Sequence, residues 1–337
     1  MLVPKRLLKP PRVQKNVADW TFPTTLEGFG LKRTTSGHFV DATGAPYPWE
    51  RTAENDDHTT ERFNALVEII AGQVKHELQQ APLSLQTTRL PLGAKADQPH
   101  CLVFHTPNAF TTQDKVLVFV VGSREFLGVW HRDAVVKGGL QEGTILPYVE
   151  QALKDGYEVL VLNLGEIVAI KGKTQPDTAF HWTMEYIQQI GCAAAHVRYT
   201  LSELIIPCQS SALYFIGYDQ GPFELFDTLF QTDVEQSDAL RSRIRAMALI
   251  RGYQTLFNCY DMDDQEWIKE RCMAWDFENV KDDAPPGWGD EETSGDDSSP
   301  KTSVCPRHFV PQSDPKMEDW ALPSKVQAEV FNYLNSH

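Results

Sequence analysis

The chain has 337 residues, 42% of them hydrophobic, with eight Trp and seventeen Phe; that supports a large packed core and excludes a wholly disordered protein. The formal charge of −15 is uneven: residues 254–300 carry fourteen acidic and three basic side chains, whereas the first eighteen carry five basic and no acidic ones. An acidic body lacks the clustered cations that displace counterions from a phosphate backbone, so direct nucleic-acid binding is not expected. No apolar run approaches the ~18 residues of a membrane helix, and no signal-peptide pattern opens the chain.

Residues 1–18 combine Lys5, Arg6, Lys9, Arg12 and Lys15 with Pro4, Pro10 and Pro11, and read as a disordered basic arm open to use as a nuclear-targeting or acid-binding segment. From Trp20 to Glu50, aromatics punctuated by Gly and Pro predict short strands and turns wrapped on a core. Phe63, Leu66, Val67, Ile70, Val74 and Leu78 recur at helical steps and predict a helix over 52–80, followed by a polar loop over 83–98.

Strands are expected at 101–104, 115–122, 157–163, 212–216 and 246–250, with a last strand or turn at 305–309. Their unbroken apolar runs suit a sheet covered on both faces. Helices are expected at 147–154, 180–204, 222–230 and 322–334, so the fold class is α/β, a doubly wound and mostly parallel sheet with helices on both faces. The pattern decays after Gln254, and residues 282–303 read as a disordered acidic insertion. The domain plan is the arm 1–18 followed by a single domain, 19–337, containing that insertion.

One stretch carries the chemistry. The apolar run Ala212–Ile216 meets Gly217-Tyr218-Asp219-Gln220-Gly221, and a helix begins at Pro222. Strand, Gly-x-nucleophile-x-Gly and helix is the layout of the nucleophile elbow, which thrusts one side chain above the sheet edge. Asp219 stands where a serine is usual. A carboxylate can attack carbon, with His308 as the late histidine base, and the backbone N–H groups of Gln220 and of Ser123 or Arg124 are candidate oxyanion donors. The alternative is structural: the Asp219 carboxylate caps the helix that follows. A third triad member is missing, because the loop after Ile250 offers no carboxylate before Asp261. Six cysteines without a CxxC pair, and histidines without HxxxH spacing, predict no metal site; no Walker loop or GxGxxG predicts a cofactor.

Several segments in order resemble the Argonaute-binding-protein-two (Arb-two) domain family: Phe22-Pro-x-Thr-Leu-x-Gly-Phe-Gly30, Gly122-Ser-x-x-x-x-Gly128-x-Trp130-x-Arg132, Gly143-Thr-x-x-Pro147 and the elbow. The resemblance implies an α/β-hydrolase-like fold and a setting in RNA silencing, chromatin or RNA processing. It also implies a serine at the elbow in some members and a histidine before Gly122; this chain has Asp219 and Val121 instead. Haloalkane dehalogenases and epoxide hydrolases are similar in placing Asp at this elbow. The expectation is therefore an inactive, hydrolase-like protein-interaction module, nuclear or cytoplasmic and with the nucleus favoured, that binds protein partners. A hydrolase using Asp219 and His308 is the alternative. Trp130 is expected to anchor the loop after the 115–122 strand and Arg132 to pair with a carboxylate. A run of arginines (Arg241, Arg243, Arg245, Arg251) is the single local basic cluster.

Overall fold

The computed structural model describes residues 20–48, 57–170, 173–175, 185–230, 237–252, 262–277, 305–311 and 319–337. The basic arm, the acidic insertion and Asp261 lie outside these residues.

Eight strands form one sheet: β1 (Gln86–Leu90), β2 (Cys101–His105), β3 (Lys115–Val120), β4 (Glu158–Val161), β5 (Ala212–Tyr218), β6 (Ile244–Ile250), β7 (Cys272–Phe277) and β8 (Arg307–Val310). Their spatial order is β1-β2-β4-β3-β5-β6-β7-β8. The pairs β1/β2 and β2/β4 are antiparallel and the other five parallel. This is the strand order of the α/β-hydrolase fold.

The apolar strands alternate between two cores. Tyr214, Ile216 and Tyr218 of β5 join Leu117 and Phe119 of β3 under helices α1 (Asp57–Gln79), α2 (Leu146–Lys154) and α6 (Leu322–Asn335). Leu213, Phe215, Val116, Val118 and Val120 face the opposite core, with α3 (Ala193–Thr200), α4 (Gly221–Phe230) and α5 (Met262–Arg271). Both faces are dry, which is why these strands read as continuous apolar runs.

The structure differs from the sequence expectation at four places. The polar loop expected over 83–98 contains strand β1, an edge strand whose mostly exposed residues Gln86-Thr-Thr-Arg carry no apolar period. Strand β7 and helix α5 lie where the pattern decays. Cys272-Met-Ala-Trp-Asp-Phe277 is short and sits among acidic residues, yet Cys272, Ala274, Trp275 and Phe277 are all buried. The helix expected over 180–204 is confined to its second half, because Glu185–Tyr186 forms an outer strand of a small sheet with Val168–Ile170 and Lys173–Gln175. A short helix, Arg132–Lys137, also went unread; the His131 imidazole caps it by accepting from the Asp133 N–H. The first helix, the elbow helix and the closing helix fall where the periodicity places them. No helix of the described residues is long and apolar enough to cross a membrane.

The arginine run is absorbed by the fold. Arg243 donates to the carbonyls of Ser210 (2.9 Å), Ile206 (3.0 Å) and Cys208 (2.7 Å), and so satisfies a chain end that leaves the helical segment following α3. Arg241 pairs with Asp238 and Asp264, and Arg245 reaches the Ser211 carbonyl. Arg243→Ala is expected to cost about 2 kcal/mol, since three bonds from one charged fork are lost together. A denaturant melt at unchanged slope measures this, and Arg243→Lys recovers only part of the loss.

Candidate functional site

The elbow forms as its spacing predicts. Asp219 adopts φ +53°, a left-handed conformation uncommon outside glycine and tolerated best by short polar side chains. Its N–H donates to the Ile250 carbonyl (3.1 Å), tying the turn to the end of β6. The two flanking glycines are required by contact. A Cβ on Gly217 would lie 2.5 Å from Pro222 Cγ, and one on Gly221 would lie 2.0 Å from the Val120 carbonyl oxygen. The helix after the turn is therefore pressed against the sheet, and Asp219 stands exposed at its edge.

This edge is a topological switch point. From β3 the chain moves one way along the sheet, to β4; from β5 it moves the other, through β6 to β8. The ends of β3 and β5 face each other across the resulting crevice, where open α/β sheets bind ligands. A Cβ on Gly122, just after β3, would meet Asp219 Oδ2 at 3.2 Å and the Gln220 nitrogen at 3.6 Å. The Ser123 hydroxyl donates to Gln220 Oε1 (3.2 Å). Asp219, Gln220, Gly122 and Ser123 thus come together, with the exposed Arg124 next in the chain.

His308 does not join them. Tyr218, Ile250, Trp275 and His308 occupy one register row across β5, β6, β7 and β8. Three strand spacings put His308 roughly 14 Å from the elbow. It lies within β8 rather than beyond it, and its Nε2 is 3.1 Å from Glu329 Oε2 of α6. The Trp275 indole also donates to that oxygen (3.2 Å). The helix-capping expectation for Asp219 fails as well: among the described residues its carboxylate bonds no N–H of α4. The Gln220 carbonyl instead accepts from Phe223 (3.1 Å).

The loop from Gly122 to Arg132 is held from beneath. Trp130 is 1% exposed and packs against Phe119, Tyr148 and Tyr218 at centroid distances of 6.3, 5.1 and 5.5 Å, the anchor expected of it. Gly128 takes φ +83° with its Cα against Val74, so the loop turns there. Arg132 pairs with Glu125 (Nε to Oε1, 3.3 Å), bonds Asn64 Oδ1 (2.8 Å) and also reaches the Arg124 carbonyl. Glu125 is buried, and burial outweighs Arg132 to push its carboxyl up to about 7. The buried Tyr218 hydroxyl lies in the field of Arg251, Asp219 and Glu125, and burial raises its pKa.

A second polar group fastens the same loop to the chain after β4. Glu166 accepts from Lys75 (2.5 Å), the Leu127 N–H (3.2 Å) and the Asn163 amide (3.2 Å). His196, fully buried, accepts from the Asn163 N–H (3.3 Å) and has Cys101 Sγ at 3.8 Å from Nδ1; burial lowers its pKa to about 3, so it stays neutral. The sequence pointed to none of Glu125, Asn163, Glu166 or His196, because their partners come from four separate segments. A lone Glu before an apolar pair was the only trace of Glu125. Among the described residues no group of three His, Cys, Asp or Glu side chains could hold a metal ion.

Strand order, elbow and crevice define an α/β-hydrolase-like fold. Residues 22–281 match the Arb2 domain, and the chain belongs to the Arb2 domain family. It is 24% identical over 309 residues to a cotranscriptional regulator ARB2A homolog of Xenopus tropicalis, covering 78% of this chain and 71% of that protein. It is 22% identical over 308 residues to the human cotranscriptional regulator ARB2A, covering 78% and 72%. Among solved structures, the histone deacetylase Clr3 aligns with a TM-score of 0.46 at 14% identity over 88% of this chain, which spans 42% of Clr3. A naproxen esterase of Bacillus subtilis aligns at 0.39 and 9% identity, covering 84% and 100%.

Proposed function

We propose that this chain is a non-catalytic protein-interaction module built on a hydrolase-like frame, working in the nucleus within a complex that acts on transcripts or chromatin. The observation that carries the reading is the separation at the site. Asp219 is exposed on a fully formed elbow, while His308, the residue singled out as its base, is engaged by Glu329 three strands away. A carboxylate nucleophile without an oriented base can form an ester but has no group to release it by activating water. The relatives' description as cotranscriptional regulators supports the setting. The acidic segment 282–303 and the basic arm 1–18 are the contacts best suited to adapt to partners.

One observation favours the second reading, a hydrolase with Asp219 as nucleophile: the residue keeps the strained φ of an elbow, and a binding or catalytic role accounts for such strain. Asp219→Ala separates the two. The module reading expects the co-purifying proteins to be unchanged, and intact-protein mass spectrometry after epoxide or haloalkane treatment to find no ester on Asp219. A stable adduct at Asp219, absent from the variant, sinks the module reading in favour of the enzyme.

A further inference from the structure

A groove of about 570 Å³ lies between the β1–β2 loop and the turn that follows Glu185–Tyr186, and shares no residue with the elbow. Its volume is within the range of specific ligand sites. None of its ten described lining residues is charged, in a chain where 23% of residues are. A charged segment entering it would lose its hydration and find no counter-charge. The lining is instead proline, apolar and carboxamide.

Two of the four exposed large hydrophobic residues among the described ones, Leu92 (45%) and Tyr186 (59%), stand here, with the buried Ile187 between their segments. Tyr186 belongs to the outer strand of the small sheet, whose outer edge has no strand neighbour among the described residues. Gln188 and Gln189 follow it, offering amide donors and acceptors that suit a peptide backbone rather than an ion. The other wall is set in advance: the Leu92 N–H donates to the Tyr199 hydroxyl (2.8 Å), the Ala94 N–H to the Pro91 carbonyl (3.0 Å) and the Lys95 N–H to Gln98 Oε1 (3.0 Å). A preformed wall reduces the entropy lost on binding. Grooves of aromatic, proline and amide character take extended proline-containing chains, which are already stiff and carry unpaired carbonyls.

We propose that this groove receives an uncharged, extended, proline-containing segment of a partner protein. The match is one of charge as well as shape, since it is a neutral slot in a strongly acidic molecule. The proposal is independent of whether Asp219 is chemically active.

The test is calorimetric titration of the full chain with a short blocked peptide made only of Ala, Leu and Pro. Saturable binding is expected. Tyr186→Asp and Leu92→Asp, exposed substitutions that leave the melting temperature in place, should each weaken it about ten-fold or more, because each puts an unpaired carboxylate against an apolar chain. A peptide with Glu at two of its Ala positions should not bind. Absence of saturable binding at millimolar peptide, or binding that neither variant weakens, overturns the proposal. Displacement of the probe by a synthetic peptide of residues 1–18 overturns the partner assignment in favour of the chain's own arm. A self-association abolished by Tyr186→Asp does so in favour of a second copy.

Discussion

Gly221→Ala is expected to remove the folded state, or to leave a protein destabilised by more than about 3 kcal/mol. The added methyl would sit 2.0 Å from the Val120 carbonyl oxygen and 2.8 Å from its carbon, atoms of a central strand that cannot yield locally. β3 is held between β5 and β4 along its length, so displacing Val120 disturbs both ladders. Moving α4 outward instead would unseat Phe226 and Leu229, which are 0% and 1% exposed. Circular dichroism and a denaturant melt measure the loss. Asp219→Ala, one turn position away but exposed, provides the contrast: its effect on stability should stay within about 1 kcal/mol, because the carboxylate supports no bond in the elbow. An equal loss for both would mean that the Asp219 side chain, not the glycine contact, maintains the turn.

Arg132→Ala carries the second large effect, about 3 kcal/mol near neutral pH, and the cost should grow with pH. Glu125 is buried and loses its only cation partner among the printed contacts of its carboxylate. It can escape by taking a proton, which is easy below its raised pKa of about 7 and hard above it. The native protein already holds that proton between the ordinary value of 4.5 and about 7, whereas the unfolded chain does not. This group's contribution to stability is therefore full below pH 4.5, falls as pH rises through 7 and is constant above it. The integrated effect is on the order of 3 kcal/mol. Glu125→Gln should flatten that window. In the Arg132→Ala background it should recover much of the loss, so that the two substitutions are strongly non-additive. Additive losses would show that Arg132 acts through Asn64 and the Arg124 carbonyl instead.

The parts of this fold that were legible share a physical cause. The elbow is local: six consecutive residues meet the steric demands of one turn, and Gly217, Asp219 and Gly221 state those demands whatever surrounds them. Helix α1 was legible because one face of a long helix is buried, which prints a period on the chain. Strands β3 and β5 were legible because both of their faces are covered. β1 was not, since an edge strand buries little and can be polar; β7 was not, since six buried residues stand among solvated acids. Trp130 and Arg132 were read correctly as an anchor and an ion pair, but the partner Glu125 had no periodicity to mark it.

The sequence by itself determined the fold class, the position and shape of the elbow, and the chemical identity of the residue it presents. These follow from short-range sterics and from burial, which act within a few residues or repeat along an element. Only the tertiary structure decided which residues accompany Asp219. The partners of an exposed turn are set by strand register and by loops distant in sequence, and a register row places His308 beside Trp275 and Glu329 rather than beside the elbow. The same long-range assembly brought Glu125, Arg132 and Tyr218 together beneath the turn, and left an uncharged groove at the opposite end of the chain's first hairpin.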